Sequence, residues 1–270
     1  MKTLVHLSDL HFGRTDPAVV TALAPLVHSL EPDVVVVSGD LTQRARPDEF
    51  RQARRFLDEL PRPQIVVPGN HDVPLYNIFQ RFMQPLNKYR RFITEDLSPF
   101  HEDSEIAVAG INTARSLTWK DGRINDEQMA ALHSRFNPLD DSITKIVVTH
   151  HPFDLPEDND SDDVVGRAER AMKTFRSSGA DILLSGHLHL SHVGESSARW
   201  KLHGYAALVI QAGTATSTRG RGETNSFNVL RIEGDTVEIV RWGWQPRDGR
   251  FEEVHRETFT HDGERWRRRE

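Results

Sequence analysis

The sequence predicts an α/β protein, with βα units over the first two thirds of the chain and a β-meander over the last third. Three observations predict it. Short β-branched runs such as Val34–Val37 carry no polar face, as expected of strands covered on both sides. Between these runs, apolar residues recur at helical spacing. From about residue 199 onward, strand-like runs follow one another directly, joined by turns such as Gly234-Asp235 and Asp248-Gly249.

Residues 4–7 open the chain as a buried strand that breaks at Ser8. Asp16 and Pro17 read as the N-cap and first residue of a helix carrying Val19, Val20, Leu23, Leu26, Val27 and Leu30, and Glu31-Pro32 stops it. Val34–Val37 is the second strand. Pro47 opens a second helix with Phe50, Ala53, Phe56, Leu57 and Leu60 on one face, and residues 65–67 form the next strand. Residues 75–93 read as a helix and 105–111 as a strand. Asn125 caps a helix running to about Phe136, followed by a strand at 145–149, a helix at 164–177 and a strand at 182–184. Runs at 206–211, 226–232, 236–244 and 250–259 make the meander, in which Trp242 and Trp244 are expected to cover the sheet or form a subunit contact in a homo-oligomer. The closing ERWRRRE reads as a solvated tail. No linker separates the two parts, so residues 1–270 are expected to form one domain, with all strand-end motifs in 1–198 and the meander in 199–270.

Composition narrows the function. Lys and Arg total 34 against 40 Asp and Glu, a net charge of −6, which gives no electrostatic footprint for nucleic acid. The absence of cysteine excludes disulfides, zinc–thiolate sites and cysteine nucleophiles, whereas histidine is abundant at 14 residues. The apolar N-terminal stretch is too short and too soon interrupted by Asp9 and His11 for a secretory signal. No run approaches the length of a membrane span, so the expected location is the cytoplasm.

The informative residues stand where the strands stop. The first strand is followed by Asp9 and His11, the second by Ser38-Gly39-Asp40, and the third by Gly69-Asn70-His71-Asp72. The strand at 145–149 is followed by His150-His151, and that at 182–184 by Ser185-Gly186-His187-Leu188-His189. In open α/β sheets the C-terminal strand edge is where ligands bind. Any one of these residues alone reads as a helix cap or a core histidine, but five strand ends converging on one edge read as a metal centre. Imidazole, carboxylate and amide donors without thiolate suit Mn, Fe, Zn or Co. Seven such residues exceed one tetrahedral ion and suit two divalent ions sharing a carboxylate, a template for in-line displacement at phosphorus. Only Asp9 and Asp40 among them carry charge, so two divalent ions stay net positive and favour an anionic ester.

The stretches DLH (9–11), GDLTQ (39–43), GNHD (69–72), HHP (150–152) and GHLH (186–189) resemble, in order and spacing, the five motifs of calcineurin-like metallophosphoesterases. The resemblance covers about residues 1–190 and points to the small bacterial branch that includes cyclic-nucleotide phosphodiesterases and glycerophosphodiesterases. It implies a four-layer α-β-β-α sandwich of two mixed sheets, with 199–270 completing the second sheet. It also implies one ion held by Asp9, His11, Asp40 and His189, a second held by Asp40, Asn70, His150 and His187, and in-line attack by metal-bound hydroxide. His71 matches the family histidine that faces the scissile ester and protonates the leaving oxygen or stabilises its charge. Many members carry Asp where this chain has Gln43. A neutral partner does not raise the imidazole pKa as a carboxylate does, so electrostatic stabilisation is expected to dominate.

Weaker signals surround this set. His151 either orients substrate or is a supporting or surface residue, and Asp72 either caps the helix starting near Pro74 or supports the site. Asn112 and Arg115, and likewise Arg219 and Arg221, either reach a substrate phosphate or are solvent-facing. His6 and His192 read as structural. Asp158, Asp160, Asp162 and Glu169 echo a calcium loop, but Asp163 stands where such loops need glycine, so the acidic stretch 154–163 is expected to be a solvated loop that disfavours long polyanions.

The expected function is hydrolysis of small phosphodiesters, 3′,5′-cyclic nucleotides among them. The competing readings are a phosphomonoesterase, a nucleotide-lipid pyrophosphatase, for which 75–93 with Lys88, Arg90 and Arg91 is a poor hydrophobic cap, and a non-catalytic metal-bound scaffold. The filled ligand positions and His71 speak against the last.

Overall fold

The computed structural model describes residues 1–74, 83–115, 122–155, 164–196, 199–218 and 222–269. Its strands are β1 (Lys2–Leu7), β2 (Val34–Val37), β3 (Gln64–Val66), β4 (Phe100–Glu102), β5 (Ile106–Gly110), β6 (Thr144–Val148), β7 (Ile182–Ser185), β8 (His192–Glu195), β9 (Leu208–Gln211), β10 (Ser226–Glu233), β11 (Thr236–Gln245), β12 (Arg250–His261) and β13 (Trp266–Arg268). They form two mixed sheets, in the orders β13-β12-β11-β10-β1-β2-β3 and β4-β5-β6-β7-β9-β8.

The two-residue period of a strand explains the four valines of β2. Val35 and Val37 pack outward on Val19, Leu23, Phe50 and Phe56 of helices Pro17–Ser29 and Pro47–Asp58. Val34 and Val36 turn inward into the layer shared with Ile146, Ile182 and Leu184 of the other sheet. Beyond that sheet, Ala107, Val147 and Leu183 pack on Met129, Phe136 and Phe175 of helices Asp126–Phe136 and Ala168–Ser177. Both faces of the central strands β1, β2, β5, β6 and β7 are covered, which gives the α-β-β-α order and removes any need there for a polar strand face. The helix starts follow the sequence signals: Asp16 Oδ1 accepts from Ala18 N at 2.9 Å, and Asn125 Oδ1 accepts from Gln128 N at 2.8 Å.

Strands β1, β2 and β3 run parallel, as do β5, β6, β7 and β9. Their C-terminal ends therefore collect at one edge, and contacts join the two sheets there. His187 N donates to Asp9 Oδ2 at 3.0 Å and His150 Nδ1 donates to Ser38 O at 2.8 Å.

The structure corrects four sequence expectations. First, residues 199–270 do not complete the second sheet as a unit. Only β9 joins it, whereas β10 pairs antiparallel with the free edge of β1 and carries β11–β13 into the first sheet. Second, the ERWRRRE tail is in part a strand: β13 pairs with Phe259–His261 of β12, and the buried Trp266 donates its indole N–H to Asp181 O at 3.1 Å. Third, the helix expected from 164 begins at Ala168, because Arg167 sits at φ +69°, a left-handed conformation no α-helix continues through. Fourth, the stretch expected as one helix over 75–93 is not continuous: residues 84–86 are not helical, a separate helix runs Asn87–Phe92, and residues 75–82 lie outside the described residues. Trp244 is buried against Phe251, and Trp242 packs on the same cluster, so both cover the sheet. Among the described residues no helix is long and apolar enough to cross a membrane.

Asp181, at the head of β7, accepts from Lys145 N at 2.7 Å, and burial pushes its carboxyl up to about 6 despite that donor and the Lys145 charge. A carboxyl raised in the folded state stabilises fully below its unfolded pKa, and that contribution is lost as pH rises through about 6. Asp181→Asn keeps an acceptor and removes the titration. Its urea midpoint is therefore expected to match the parent near pH 4 and to exceed it at pH 7, by a margin equivalent to roughly 1–2 kcal/mol after discounting for partial exposure. Equal midpoints at both pH values would refute the assignment.

Candidate metal centre

Three of the strands that end at the common edge, β1, β2 and β7, turn sharply as they deliver their side chains. Asp9, His11, Asp40, His187 and His189 have φ of +53°, +49°, +51°, +74° and +59°. Left-handed backbone costs a residue with a Cβ roughly 1–2 kcal/mol, and a cluster of such residues at one edge is strain held in place by the surrounding fold, as at functional sites. The neighbouring Gly39, at φ +96°, makes room: a Cβ there would lie 2.6 Å from His150 Nδ1.

Two pockets of donor atoms result. In one, ligand atoms of Asp9, His11, Asp40 and His189 all lie within 4.8 Å of one another. His11 Nε2 is 3.5 Å from Asp9 Oδ1 and 3.6 Å from Asp40 Oδ2, and His189 Nε2 is 3.4 Å from Asp9 Oδ1. In the other, Asn70 Oδ1 lies 3.1 Å from both His150 Nε2 and His187 Nδ1, and His150 Nε2 is 3.4 Å from Asp40 Oδ1. Asp40 thus turns one oxygen to each pocket. His151 joins the second as a further imidazole, its ring 4.7 Å from that of His187.

The chemistry of the donors fits cations. Asp9 Oδ1 and His11 Nε2 are buried with no hydrogen bond, an arrangement that is costly unless a cation satisfies the lone pairs. Burial raises the Asp40 carboxyl, but the His150 and His71 imidazoles outweigh it and hold it well below the carboxylate range. Burial likewise lowers His150, and the Asp40 carboxylate outweighs it, to about 9. The pocket thus concentrates opposite charges that a divalent ion would replace. With Nδ1–H donated to Ser38 O, the nitrogen His150 offers a cation is Nε2.

A supporting ring orients these residues. Thr214 Oγ1 is 2.8 Å from His189 Nδ1, and Ser8 Oγ donates to Asp9 Oδ2 at 2.7 Å. Asp72 is buried and accepts from Leu41 N, Thr42 N, Gly69 N and Thr42 Oγ1 at 2.9–3.1 Å, so it ties the GDLTQ and GNHD loops together. Burial, with the Asp40 charge, raises its carboxyl to about 6 in spite of those donors. His6 Nε2 lies 2.9 Å from Ser38 Oγ, behind the carbonyl that orients His150. Sequence reasoning missed Thr214 and gave the serines no role. The available signal was a serine just before Asp9, Gly39 and Gly186 at three strand ends.

His71 stands beside the first pocket, its ring 4.9 Å from that of His11. Its Nδ1 donates to the main-chain carbonyl of Gln43 at 2.8 Å. The neutral partner expected from Gln43 is therefore its backbone, and the side-chain Oε1 is buried without a hydrogen bond. Asn112 is buried and its Oδ1 accepts from Ala114 N at 2.9 Å, which makes it the former of the turn that carries Arg115. Arg219, Arg221, Asp158, Asp160, Asp162 and Asp163 lie outside the described residues. Asp154, at the start of the acidic stretch, is buried against Arg199 and pushed up to about 6 by burial.

Comparison with known proteins agrees with this geometry. A family model described as calcineurin-like phosphoesterase matches residues 2–191. The glycerophosphodiester phosphodiesterase GpdQ of Enterobacter lignolyticus is 28% identical over 163 residues, 56% of this chain and 58% of that one. A probable cyclic nucleotide phosphodiesterase of Synechococcus is 26% identical over 125 residues, 45% of this chain and 43% of that one. The chain thus spans about half the length of these curated relatives. In structure it superposes on a dimetal phosphatase from Danio rerio with a TM-score of 0.67 at 14% identity, covering 97% of this chain and 99% of that one.

Proposed function

The chain belongs to the calcineurin-like phosphoesterase family, and from that premise we propose that it hydrolyses small phosphodiesters, 3′,5′-cyclic nucleotides among them, with two divalent cations such as Mn, Fe, Zn or Co. In this reading Asp9, His11, Asp40 and His189 hold one ion, and Asp40, Asn70, His150 and His187 hold the other. When bound, the ions supply Lewis acidity to the phosphoryl oxygens and activate water near neutral pH. The observation that carries the reading is the position of Asp40, one oxygen toward each pocket, at 3.6 Å from His11 Nε2 and 3.4 Å from His150 Nε2.

The protein's own groups do the rest. His71, its Nδ1–H held by a neutral carbonyl, turns its other nitrogen to the leaving oxygen, and in the imidazolium form its N–H there stabilises the charge that develops. His151 and Arg115 meet the substrate on the side of the second pocket, and Asn112 forms the turn that carries Arg115. The diester preference draws support from the relatives named as phosphodiesterases.

With Mn²⁺, bis-p-nitrophenyl phosphate is expected to be cleaved faster than p-nitrophenyl phosphate. The reverse order would replace the diesterase reading with a monoesterase. Inactivity toward both esters and toward cyclic nucleotides, with two ions bound, would favour the scaffold.

A further inference from the structure

We propose that Arg115 and Arg123 form an anion subsite beside the metal centre that selects phosphodiesters carrying a second phosphate, a terminal monoester, on the group away from the scissile phosphorus. The proposal deepens the diesterase reading above and rests on it for the position of the scissile phosphate.

Placement comes from His151. Its Nδ1 lies 2.8 Å from Thr113 Oγ1, and its ring is 4.7 Å from that of His187. Two chain segments bracket this imidazole. One is the turn after β5, where Arg115 follows Thr113 by two residues. The other carries Gly122 and Arg123: a Cβ on Gly122 would lie 2.3 Å from His151 Nδ1, and Arg123 N donates to Thr113 O at 2.9 Å. Both arginines therefore leave the backbone within about two side-chain lengths of the second metal pocket.

The Arg115 guanidinium is partly buried, yet its hydrogen-bond partners are the neutral Ala114 O and Gln128 Oε1. Gln128 is fixed in turn by Asn125 and by Asn112 O, which takes its Nε2–H at 2.7 Å. Among the described residues neither Arg115 nor Arg123 has a carboxylate partner, whereas other arginines such as Arg231 and Arg256 pair with Glu238. Burial, and then the like charge of Arg123, lower the Arg115 pKa. A guanidinium has five donors, and Arg115 uses two of its N–H groups here. A partly buried cation beside a second, exposed one with no carboxylate partner is a position that an anion would complete. Two guanidinium charges match a phosphate monoester, which carries about −1.5 to −2 at neutral pH, and the fork geometry suits its oxygens. A substrate with no charge beyond the scissile group leaves them unmet.

The test compares ApA with pApA, which differ by one terminal 5′-phosphate, in the Mn²⁺-loaded protein. The parent is expected to show at least a tenfold higher kcat/KM for pApA. In Arg115→Gln/Arg123→Gln the ratio is expected to fall to about one, and Arg115→Lys/Arg123→Lys should restore part of it. Binding is read separately by calorimetry with adenosine 3′,5′-bisphosphate against 5′-AMP; a tenfold preference in the parent that disappears in the glutamine variant is expected. A parent without preference in either assay, or a preference that survives the double substitution, overturns the proposal. Equal cleavage of ApA and pApA removes the subsite and leaves the diesterase. No cleavage of any diester, with the bisphosphate preference present and lost in the variant, removes the diesterase and leaves the subsite. If the double variant does not fold, the exposed Arg123→Gln alone must lower both ratios by threefold or more, and unchanged ratios overturn the proposal.

Discussion

Replacing Asp40 with alanine is expected to lower kcat for bis-p-nitrophenyl phosphate by at least about 10³-fold, close to 4 kcal/mol of transition-state stabilisation, and to reduce bound metal from two ions to one or none. The size follows from where its atoms lie. Oδ2 faces His11 and Asp9 in one pocket, and Oδ1 faces His150 in the other. Oδ1 also accepts from His71 N at 2.8 Å, so the same carboxylate holds the loop that carries Asn70 and His71. Its loss removes one of only two charged donors in the proposed ligand set and loosens a third element. Asn70→Ala removes a neutral donor from one pocket alone, at 3.1 Å from His150 and His187, and should cost less in both rate and metal content. Metal is counted by plasma mass spectrometry after dialysis, alongside kcat at saturating Mn²⁺. An Asp40→Ala protein that keeps two ions and lies within roughly tenfold of the parent rate would show that the pockets do not share this residue.

Much of this centre was legible because its residues sit at strand ends, where periodicity stops and a polar residue needs a reason. Val34–Val37 announces a strand covered on both faces, and Asp40 follows it after Ser38 and Gly39. What the sequence hides is long-range pairing. Asp72 reads equally as a helix cap, because the groups it binds, Leu41 and Thr42, lie about thirty residues away. Strands β4 and β8, FHE and HVGE, are short, polar edge strands whose pairing is set by their neighbours rather than by propensity. In the closing ERWRRRE four arginines flank the single buried indole of Trp266, so composition suggests solvent while one side chain fixes β13. The left-handed backbone at Asp9, His11, Asp40, His187 and His189 has no glycine to advertise it. Strain of that kind appears only once the partners that hold it are in place.

His71→Ala is expected to lower kcat by about 10²–10³-fold, the range for losing one pre-placed electrostatic donor, with a loss that is nearly the same for good and poor leaving groups. The reason lies in its partner. A carboxylate on Nδ1 would stabilise the imidazolium and make the ring a stronger proton carrier, but here Nδ1–H meets the Gln43 carbonyl, which carries no full charge. The ring is also wedged edge-on against His11, 4.9 Å between centroids, which fixes its orientation. With Nδ1–H so engaged, Nε2 carries a proton only in the imidazolium, and its fixed N–H and charge are expected to meet the departing alkoxide without giving the proton up. In a series of aryl and alkyl diesters, a pure electrostatic role leaves the dependence of log kcat on leaving-group pKa almost parallel between parent and variant. Proton donation would make the His71→Ala loss grow steeply with leaving-group pKa, since a poor alkoxide needs the proton most. Gln43→Asp separates the two roles only weakly, because the contact is made by the backbone. It is expected to change the His71-dependent slope little, and a large change would mean that the side chain at 43 reaches the imidazole after all.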